Sequence, residues 1–278
     1  MSAVLHLTVA AADVDLAVDV LWSHGALGVH EEADGPGAVR LVTAFGDDVD
    51  PAAVGHEVAA RVDGARVTVV DDDGAWWDAW RVHAAPIEVG GGRVVVVPAW
   101  RPHPAGAPGA LVVPIDPGRT FGSGAHATTR LVLEALVELP LVGASVLDVG
   151  CGSGVLGIVA ARLGAARVVG VDIDPACLAV VAANAEANGV TGRVRATTEE
   201  LGSLDGPFDV VVANLLLPAL EVLAPGIDRL AGGRLLISGM LVGTTERAIA
   251  AFGGWHLAAR SDDDVWSSAL LVRDSFLG

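Results

Sequence analysis

The sequence contains no lysine, tyrosine or glutamine, so arginine supplies all 17 of its Lys and Arg positions. With 34 acidic residues, the formal net charge is −17 at pH 7. Because phosphate binding requires a basic surface, we expect no direct nucleic-acid partner. A negative field of this size attracts basic proteins, but it also serves solubility alone, and the charge by itself leaves both interpretations open.

Cysteines and long apolar runs are also scarce. The two cysteines, Cys151 and Cys177, fit neither a disulfide framework nor the paired spacing of a metal site. The eight histidines include no H-x-x-x-H pair, and we therefore predict no metal site. Nothing approaches the roughly 20 unbroken apolar residues of a membrane span, and the amino terminus does not resemble a secretion signal. We expect a cytoplasmic monomer that does not associate with membranes.

The first 70 residues alternate between strand and helix patterns. Apolar residues at every second position predict strands, and apolar residues at helical spacing predict helices. In chain order these are a strand at Val4–Val9, a helix at Asp13–His24, strands at Ala26–Glu31 and Val39–Ala44, a helix from Pro51 to about Val62, and a strand at Val67–Val70. The order βαββαβ is the ferredoxin-like plan, so we expect a small α+β domain at residues 1–70.

A tryptophan-rich connector follows at residues 71–84. It reads as a short helix that carries Trp76, Trp77 and Trp80. These rings would either pack the connector against the neighbouring domain or help to shape a substrate channel. A strand at Arg93–Val97 and a proline-rich stretch then lead into the second domain, at residues 85–278.

From Ser145 onward, short apolar strands alternate with helices. The predicted strands are Ser145–Val149, Arg167–Val171, Arg193–Ala196, Phe208–Ala213 and Arg234–Ser238, and a terminal hairpin is expected from Trp255–Arg260 and Val265–Val272. Apolar strands that alternate with helices indicate an α/β fold, in which a parallel sheet is covered on both faces. Its ligand should bind at the carboxyl ends of the strands, near the switch point of the strand order.

A glycine-rich loop follows the first of these strands. It contains G-x-G-x-x-G at Gly152, Gly154 and Gly157, and Asp172 ends the next strand about 20 residues later. Taken alone, this is a dinucleotide-binding fingerprint, and its acidic residue can accept hydrogen bonds from ribose hydroxyls. A nicotinamide-dependent dehydrogenase is therefore an alternative.

The residue ahead of the glycines favours a different cofactor. Asp148 precedes a second pattern, G-x-G-x-G, at Gly150, Gly152 and Gly154. A carboxylate here repels a pyrophosphate but suits S-adenosylmethionine, which carries an amino group and a sulfonium. Glycines let the ligand approach the backbone closely. The form D-x-G-x-G-x-G is fairly specific for class I methyltransferases, so we favour S-adenosylmethionine.

Two further segments belong to the predicted site. Asn214 ends a strand in V-V-A-N-L-L-L-P, where its side-chain oxygen could accept a hydrogen bond from an amine, although it could also cap the next helix. The glycine-rich loop at residues 116–129 leads into a helix predicted at Arg130–Leu139, with Thr128 or Thr129 as its cap. Such a loop suits closure over a cofactor. No general base stands out. His126 is the one titratable candidate for a base in this loop, but we expect it to shape the loop and not to act as a base.

Together these segments resemble the ribosomal protein L11 methyltransferase family over most of residues 71–278. The resemblance rests on D-P-G-R-T-F-G-S-G-A-H-A-T-T, V-L-D-V-G-C-G-S-G-V-L-G, G-V-D-I-D-P and V-V-V-A-N-L-L. The first segment is specific to the family, whereas many methyltransferases share the glycine loop. The small amino-terminal domain and the tryptophan-rich connector also fit the plan of the family.

The resemblance implies transfer of methyl groups to lysine side chains and to the N-terminal amine of ribosomal protein L11. It also implies that Thr129, Gly150, Asp172 and Asn214 contact the cofactor, and that the amino-terminal domain holds the substrate. The sequence departs from the family at Ser123, where Thr is usual, at Ala127, often Pro, at Ala84-Ala85-Pro86, which lacks an aromatic residue, and at L-L-L-P after Asn214. These departures lie mainly on the acceptor side, so a different protein lysine or a small molecule is an alternative acceptor.

Overall fold

The computed structural model describes residues 2–26, 29–35, 37–46, 49–72, 84–102, 109–118, 120 and 122–273. The chain divides into two units, Met1–Ala84 and Ala85–Gly278. Most of the predicted connector, including its three tryptophans, lies outside the described residues. The boundary near residue 70 and the connector helix therefore stay predictions.

The first unit has the predicted element order. It comprises β1 (Ser2–Ala10), α1 (Val14–Ser23), β2 (Val29–Ala33), β3 (Ala38–Ala44), α2 (Pro51–Arg61) and β4 (Arg66–Asp72). The strands form an antiparallel sheet in the order β2-β3-β1-β4, as the ferredoxin-like plan requires. Alternate residues of β1, among them Leu5 and Leu7, join the apolar core that the two helices cover. Asp50 caps α2 by accepting from the Ala52 N–H.

The second unit begins with a small sheet of which the sequence analysis predicted one strand. Its strands are β5 (Ile87–Val89), β6 (Val94–Pro98) and β7 (Leu111–Ile115). Strand β6 lies in the middle, antiparallel to β5 and parallel to β7. Strand β5 has three residues and β7 contains Pro114, which an edge strand tolerates. The pattern of such short strands is too weak to stand out in the sequence.

The main sheet carries the predicted parallel strands and terminal hairpin. Its strands are β8 (Ser145–Val149), β9 (Arg167–Val171), β10 (Val194–Thr197), β11 (Phe208–Asn214), β12 (Ala231–Leu241), β13 (Trp255–Asp262) and β14 (Trp266–Arg273). Their order is β10-β9-β8-β11-β12-β14-β13. The first five are parallel, and β14 runs antiparallel to both β12 and β13.

Helices cover both faces of this sheet. They are α3 (Ala127–Glu138), α4 (Val155–Arg162), α5 (Ala176–Ala187), α6 (Leu217–Leu230) and α7 (Thr245–Ala250). In β8, Val146 belongs to the core on one face and Leu147 to the core on the other. Strands buried on both sides are mainly apolar at consecutive positions, which is why the sequence shows short apolar runs. Among the described residues, no helix is both long and apolar enough to cross a membrane.

Candidate active site

Three of the predicted site residues meet at the carboxyl edge of the main sheet. Strand β8 lies between β9 and β11, and Val149 is in register with Val171 on one side and Ala213 on the other. The residues that follow directly are Gly150, Asp172 and Asn214. The chain leaves β8 toward β9 and β10 on one side and returns to β11 and β12 on the other, so this edge is the switch point of the sheet.

The glycine loop, residues 150–154, needs its glycines for two reasons. Gly150, Gly152 and Gly154 have φ values of 74°, 49° and 77°, in the left-handed region that favours glycine. A Cβ at Gly150 would lie 2.4 Å from Leu215 Cδ2. The N–H of Gly150 donates to the Val171 carbonyl at 2.8 Å, which ties the loop to β9. The glycines therefore let the loop fold tightly against its neighbours and fix its backbone at the end of β8.

Asp172 is fixed against this loop by backbone hydrogen bonds. Its Oδ2 accepts from the Gly152 N–H at 2.9 Å, and its Oδ1 accepts from the Asp174 N–H at 3.1 Å. A carboxylate offers about four acceptor positions, so capacity remains for further donors such as hydroxyls. The side chain is half-buried and lies where the spacing of the sequence predicted it.

Asp148 lies beneath the loop. Its side chain is 1% exposed, and Oδ2 accepts from the Gly157 N–H at 3.1 Å near the start of α4. Burial raises the pKa of Asp148 to about 7; the Gly157 hydrogen bond opposes this rise, and the nearby charge of Asp172 adds to it. The carboxylate therefore supports the loop from below, and its predicted contact with a cofactor stays a prediction.

The pKa of Asp148 leads to a pH-dependent stability. In the folded protein the pKa is about 7, against an ordinary value of 3.8. Between these values the folded protein binds more protons than the unfolded chain, so the contribution of Asp148 to stability falls as the pH rises. Asp148→Asn keeps an acceptor for the Gly157 N–H but does not titrate. We expect its melting temperature relative to the wild type to rise from pH 4 to pH 7 and to level off above. Thermal unfolding of both proteins checks this, and a pH-independent difference would contradict it.

Thr129 is buried within the first turn of α3. Its side chain is 1% exposed, and its Oγ1 has no hydrogen-bond partner among the described residues. The predicted cap, Thr128 or Thr129, is wrong, because α3 starts at Ala127 and both threonines lie inside the helix. The hydroxyl of Thr129 is therefore available to a ligand instead of serving the helix terminus.

His126 caps α3 in their place. Its Nδ1 accepts from the Thr128 N–H at 3.4 Å and lies 2.8 Å from Thr128 Oγ1. Burial lowers the pKa of His126, although the charge of Asp263 acts in the opposite direction. A neutral ring can accept the capping hydrogen bond. The Trp266 ring contacts it edge to face, with the ring centroids 5.3 Å apart. This contact agrees with the expectation that His126 shapes the loop.

Two residues that the sequence analysis did not single out join the segment before α3 to the glycine loop. We call residues 116–126 the signature loop. Ser153 Oγ donates to the Gly122 carbonyl at 2.5 Å, and the Asn184 carboxamide bonds to both Asp116 and Ser153. The available signal was a pair of asparagines four residues apart, Asn184 within the mainly apolar helix α5 and Asn188 at its C-cap.

Asn214 ends β11 beside β12. The next residue, Leu215, donates its N–H to the Ser238 carbonyl at 2.9 Å and packs its side chain over Gly150. Gly239 has a φ of 89°, and a Cβ there would lie 2.4 Å from the Leu215 carbonyl oxygen. The alternative that Asn214 caps the next helix is wrong, because Leu216 occupies the cap position of α6. No described residue hydrogen-bonds to the Asn214 carboxamide, which is half-buried.

The donors and acceptors around this edge fit a nucleoside ligand with a polar tail. Thr129 Oγ1 and Asp148 Oδ1 are buried side-chain atoms without hydrogen-bond partners in the described part of the chain. Buried polar atoms usually find partners, so unsatisfied ones need an explanation. These two atoms and the remaining acceptor capacity of Asp172 are the polar groups that a ligand could engage. No group of three or more His, Cys, Asp or Glu residues in the described ranges could hold a metal ion.

The strand order, the glycine loop after β8 and the acidic residue after β9 define the class of protein. Five parallel strands with α4, α5 and α6 among their connections, followed by an antiparallel hairpin whose last strand inserts beside β12, form the class I methyltransferase fold. The expected fold class is thus confirmed for both units.

Comparison with known proteins identifies the family. The family model described as ribosomal protein L11 methyltransferase (PrmA) matches residues 39–274. A protein of that name from Syntrophotalea carbinolica is 35% identical over 305 residues, covering 98% of this chain and 98% of that protein. Another, from Geobacter metallireducens, is 43% identical over 199 residues, which cover 70% of this chain and 65% of that protein. The chain belongs to the ribosomal protein L11 methyltransferase family, as its motifs predicted.

A solved structure agrees with this assignment. The crystal structure of a ribosomal protein L11 methylase from Lactobacillus delbrueckii subsp. bulgaricus is similar with a TM-score of 0.60 and 28% sequence identity. The similarity covers 65% of this chain and 95% of that one.

Proposed function

We propose that this protein is an S-adenosylmethionine-dependent N-methyltransferase that modifies lysine side chains and the N-terminal amine of ribosomal protein L11. Membership of the family supports the acceptor protein. The observation that supports S-adenosylmethionine as the cofactor is the glycine loop, with Asp172 held against it by the Gly152 N–H. The charge of Asp172, together with Asp148 in its ionised form, would oppose a pyrophosphate, which disfavours the dehydrogenase alternative.

Several residues would hold the cofactor. The loop that Gly150, Gly152 and Gly154 form would lie against it, and Asp172 has acceptor capacity for two ribose hydroxyls. The unpartnered Thr129 Oγ1 and Asp148 Oδ1 could serve its amino-acid end, Asp148 through water. When bound, S-adenosylmethionine supplies an electrophilic methyl group on a positively charged sulfur.

The acceptor amine has to arrive without a proton. A free lysine side chain has a pKa of ~10.4, and apolar surroundings lower this pKa because they disfavour the charged form. Leu215, Leu216 and Leu217 follow Asn214 and are all half-buried, so they can line an apolar entrance. Asn214 Oδ1 can then accept an N–H of the neutral amine and direct its lone pair toward the methyl group.

The amino-terminal unit supports a protein substrate rather than a small molecule. We propose that residues 1–70 hold this substrate and that residues 71–84 connect it to the catalytic domain at residues 85–278. The net charge of −17 favours a basic partner. We also retain as proposals a cytoplasmic monomer that does not bind nucleic acid directly. The departures at Ser123, Ala127 and the L-L-L-P segment keep another protein lysine as the alternative acceptor.

Mass spectrometry of purified ribosomal protein L11 tests this proposal. After incubation with enzyme and S-adenosylmethionine, we expect mass gains in multiples of a methyl group, localised by fragmentation to lysines and the N-terminus. A matched reaction uses L11 whose amines have been acetylated, and it should show no gain. Thermal unfolding with S-adenosylmethionine or NAD runs in parallel, because a ligand stabilises the protein that binds it. Protection by S-adenosylmethionine without modification of L11 would contradict the substrate, and protection by NAD alone would contradict the cofactor.

A further inference from the structure

The side chain of Asn184 is buried on α5 and lies outside the set of residues predicted to touch the cofactor. We propose that Asn184 is a positioning residue that couples the signature loop to the glycine loop and thereby sets the affinity for the cofactor. This inference rests on the proposed function. Asn184 is 2% exposed, so its carboxamide serves other parts of the protein and not solvent.

The carboxamide joins two segments that are distant in the sequence. Its Oδ1 accepts from the Asp116 N–H at 2.9 Å, and its Nδ2 donates to the Asp116 carbonyl at 2.8 Å. The same Nδ2 donates to the Ser153 carbonyl at 3.0 Å. Asp116 begins the signature loop and Ser153 belongs to the glycine loop, so one side chain contacts both loops.

Ser153 extends this connection. It is 0% exposed, and its Oγ both donates to the Gly122 carbonyl and accepts from the Val155 N–H, at 2.5 and 3.2 Å. A Cβ at Gly122 would lie 2.8 Å from Ser153 Oγ, so the two loops are in close contact there. The signature loop is thus attached to the glycine loop at two points, through Asn184 at Asp116 and through Ser153 at Gly122.

This attachment should matter for cofactor binding. The signature loop leads into α3 and its buried Thr129, whereas the glycine loop holds Asp172 through the Gly152 N–H. If the donors of Asn184 are lost, the buried carbonyls of Asp116 and Ser153 lose partners, and the loops are no longer held together. The cofactor would then have to order both loops when it binds. The entropic cost of that ordering would weaken its binding.

Asn188, four residues after Asn184 at the C-cap of the same helix, provides a matched control. Its Nδ2 donates to the carbonyls of Pro114 and Asn184, at 2.7 and 2.8 Å, and its Oδ1 accepts from Arg162. It is 7% exposed. Asn188 therefore anchors the chain just before the signature loop by similar chemistry, but it makes no hydrogen bond to the glycine loop.

Asn184→Asp tests the coupling. The variant keeps the acceptor for the Asp116 N–H but places an oxygen opposite two carbonyls in place of the donor. We expect the Kd for S-adenosylhomocysteine, the demethylated cofactor, to rise by about 10-fold in calorimetry. At saturating S-adenosylmethionine, kcat should stay within about twofold of the wild type, because ligand binding restores the arrangement of the loops. Asn188→Asp should leave Kd within about twofold even where its melting temperature falls, since it spares the glycine loop.

The outcomes separate the coupling from general stability. Equal changes in Kd for the two variants, or an unchanged Kd for Asn184→Asp, would overturn the coupling. Asn184→Ala, which removes the carboxamide donor without adding a charge, replaces Asn184→Asp if the latter does not fold, and the same two results would decide. A wild-type protein that binds neither S-adenosylmethionine nor S-adenosylhomocysteine would overturn the proposed function, and the coupling with it.

Discussion

Replacing Asp172 by alanine should weaken binding of S-adenosylmethionine by about 100-fold. Hydrogen bonds to a charged group contribute about 1.5–3 kcal/mol each, so the loss of two ribose contacts costs about 3 kcal/mol or more, and each ~1.4 kcal/mol is tenfold in Kd. The change also removes the acceptors of the Gly152 and Asp174 N–H groups, which hold the loop geometry. Calorimetry with the cofactor measures the effect directly.

Asp209→Ala is the matched control for this prediction. Asp209 is a carboxylate on the same sheet, at its amino edge, where it accepts from the N–H and the hydroxyl of Ser145 at 2.8 and 2.7 Å. These hydrogen bonds lower the pKa of Asp209. Its removal should cost stability and leave Kd unchanged, because it lies far along the strands from the glycine loop. If Asp172→Ala bound the cofactor as the wild type does, the proposed site would be misplaced.

Asn214→Ala should lower kcat by about 100-fold, since misplacing a reacting group by about 1 Å can cost that much. The Kd for S-adenosylmethionine should change by less than about threefold, which is under ~1 kcal/mol. The reason is that the carboxamide, which no described residue engages, is proposed to orient the incoming amine. Single-turnover rates at saturating L11 and cofactor separate this step from binding.

Ser238→Ala tests whether the effect of Asn214 is specific. Ser238 is in register with Asn214 on the neighbouring strand, and its buried hydroxyl donates to the Ser267 carbonyl at 3.0 Å. Loss of this hydrogen bond should lower the melting temperature without lowering kcat. An Asn214→Ala protein whose Kd rose as far as its kcat fell would show that Asn214 mainly binds the cofactor, a contact that the family resemblance also implies.

The parallel strands of the main sheet were predictable because they are buried on both faces. Val146 and Leu147 of β8 enter different cores, so the strand has to be apolar at consecutive positions and is visible in the sequence. Strands β5 and β7 were not predicted. They are short and lie at the edges of a small sheet, where burial constrains few positions and Pro114 is tolerated.

The local features of the candidate site were also predictable. Positive φ values at the glycine loop require glycine, so the backbone conformation leaves a direct mark on the sequence. The prediction for the cap of α3 was wrong because cap preferences are weak signals. A threonine is a favourable cap, but the helix begins earlier, and His126 occupies the position instead.

By itself, the sequence determined the order of the elements, the positions of the glycines, and the placement of Asp172 and Asn214 at the carboxyl ends of parallel strands. Each of these features is visible in a short segment of the sequence. Because the carboxyl ends of neighbouring parallel strands meet at one edge of the sheet, the residues there also lie close together. Only the tertiary structure decided which buried polar groups face one another. Asp148 is directed toward the Gly157 N–H, and Asn184 bonds to Asp116, which lies 68 residues earlier. Such pairings depend on side-chain direction and on how helices pack over the sheet. Neither factor produces a recognisable spacing of residues in the sequence.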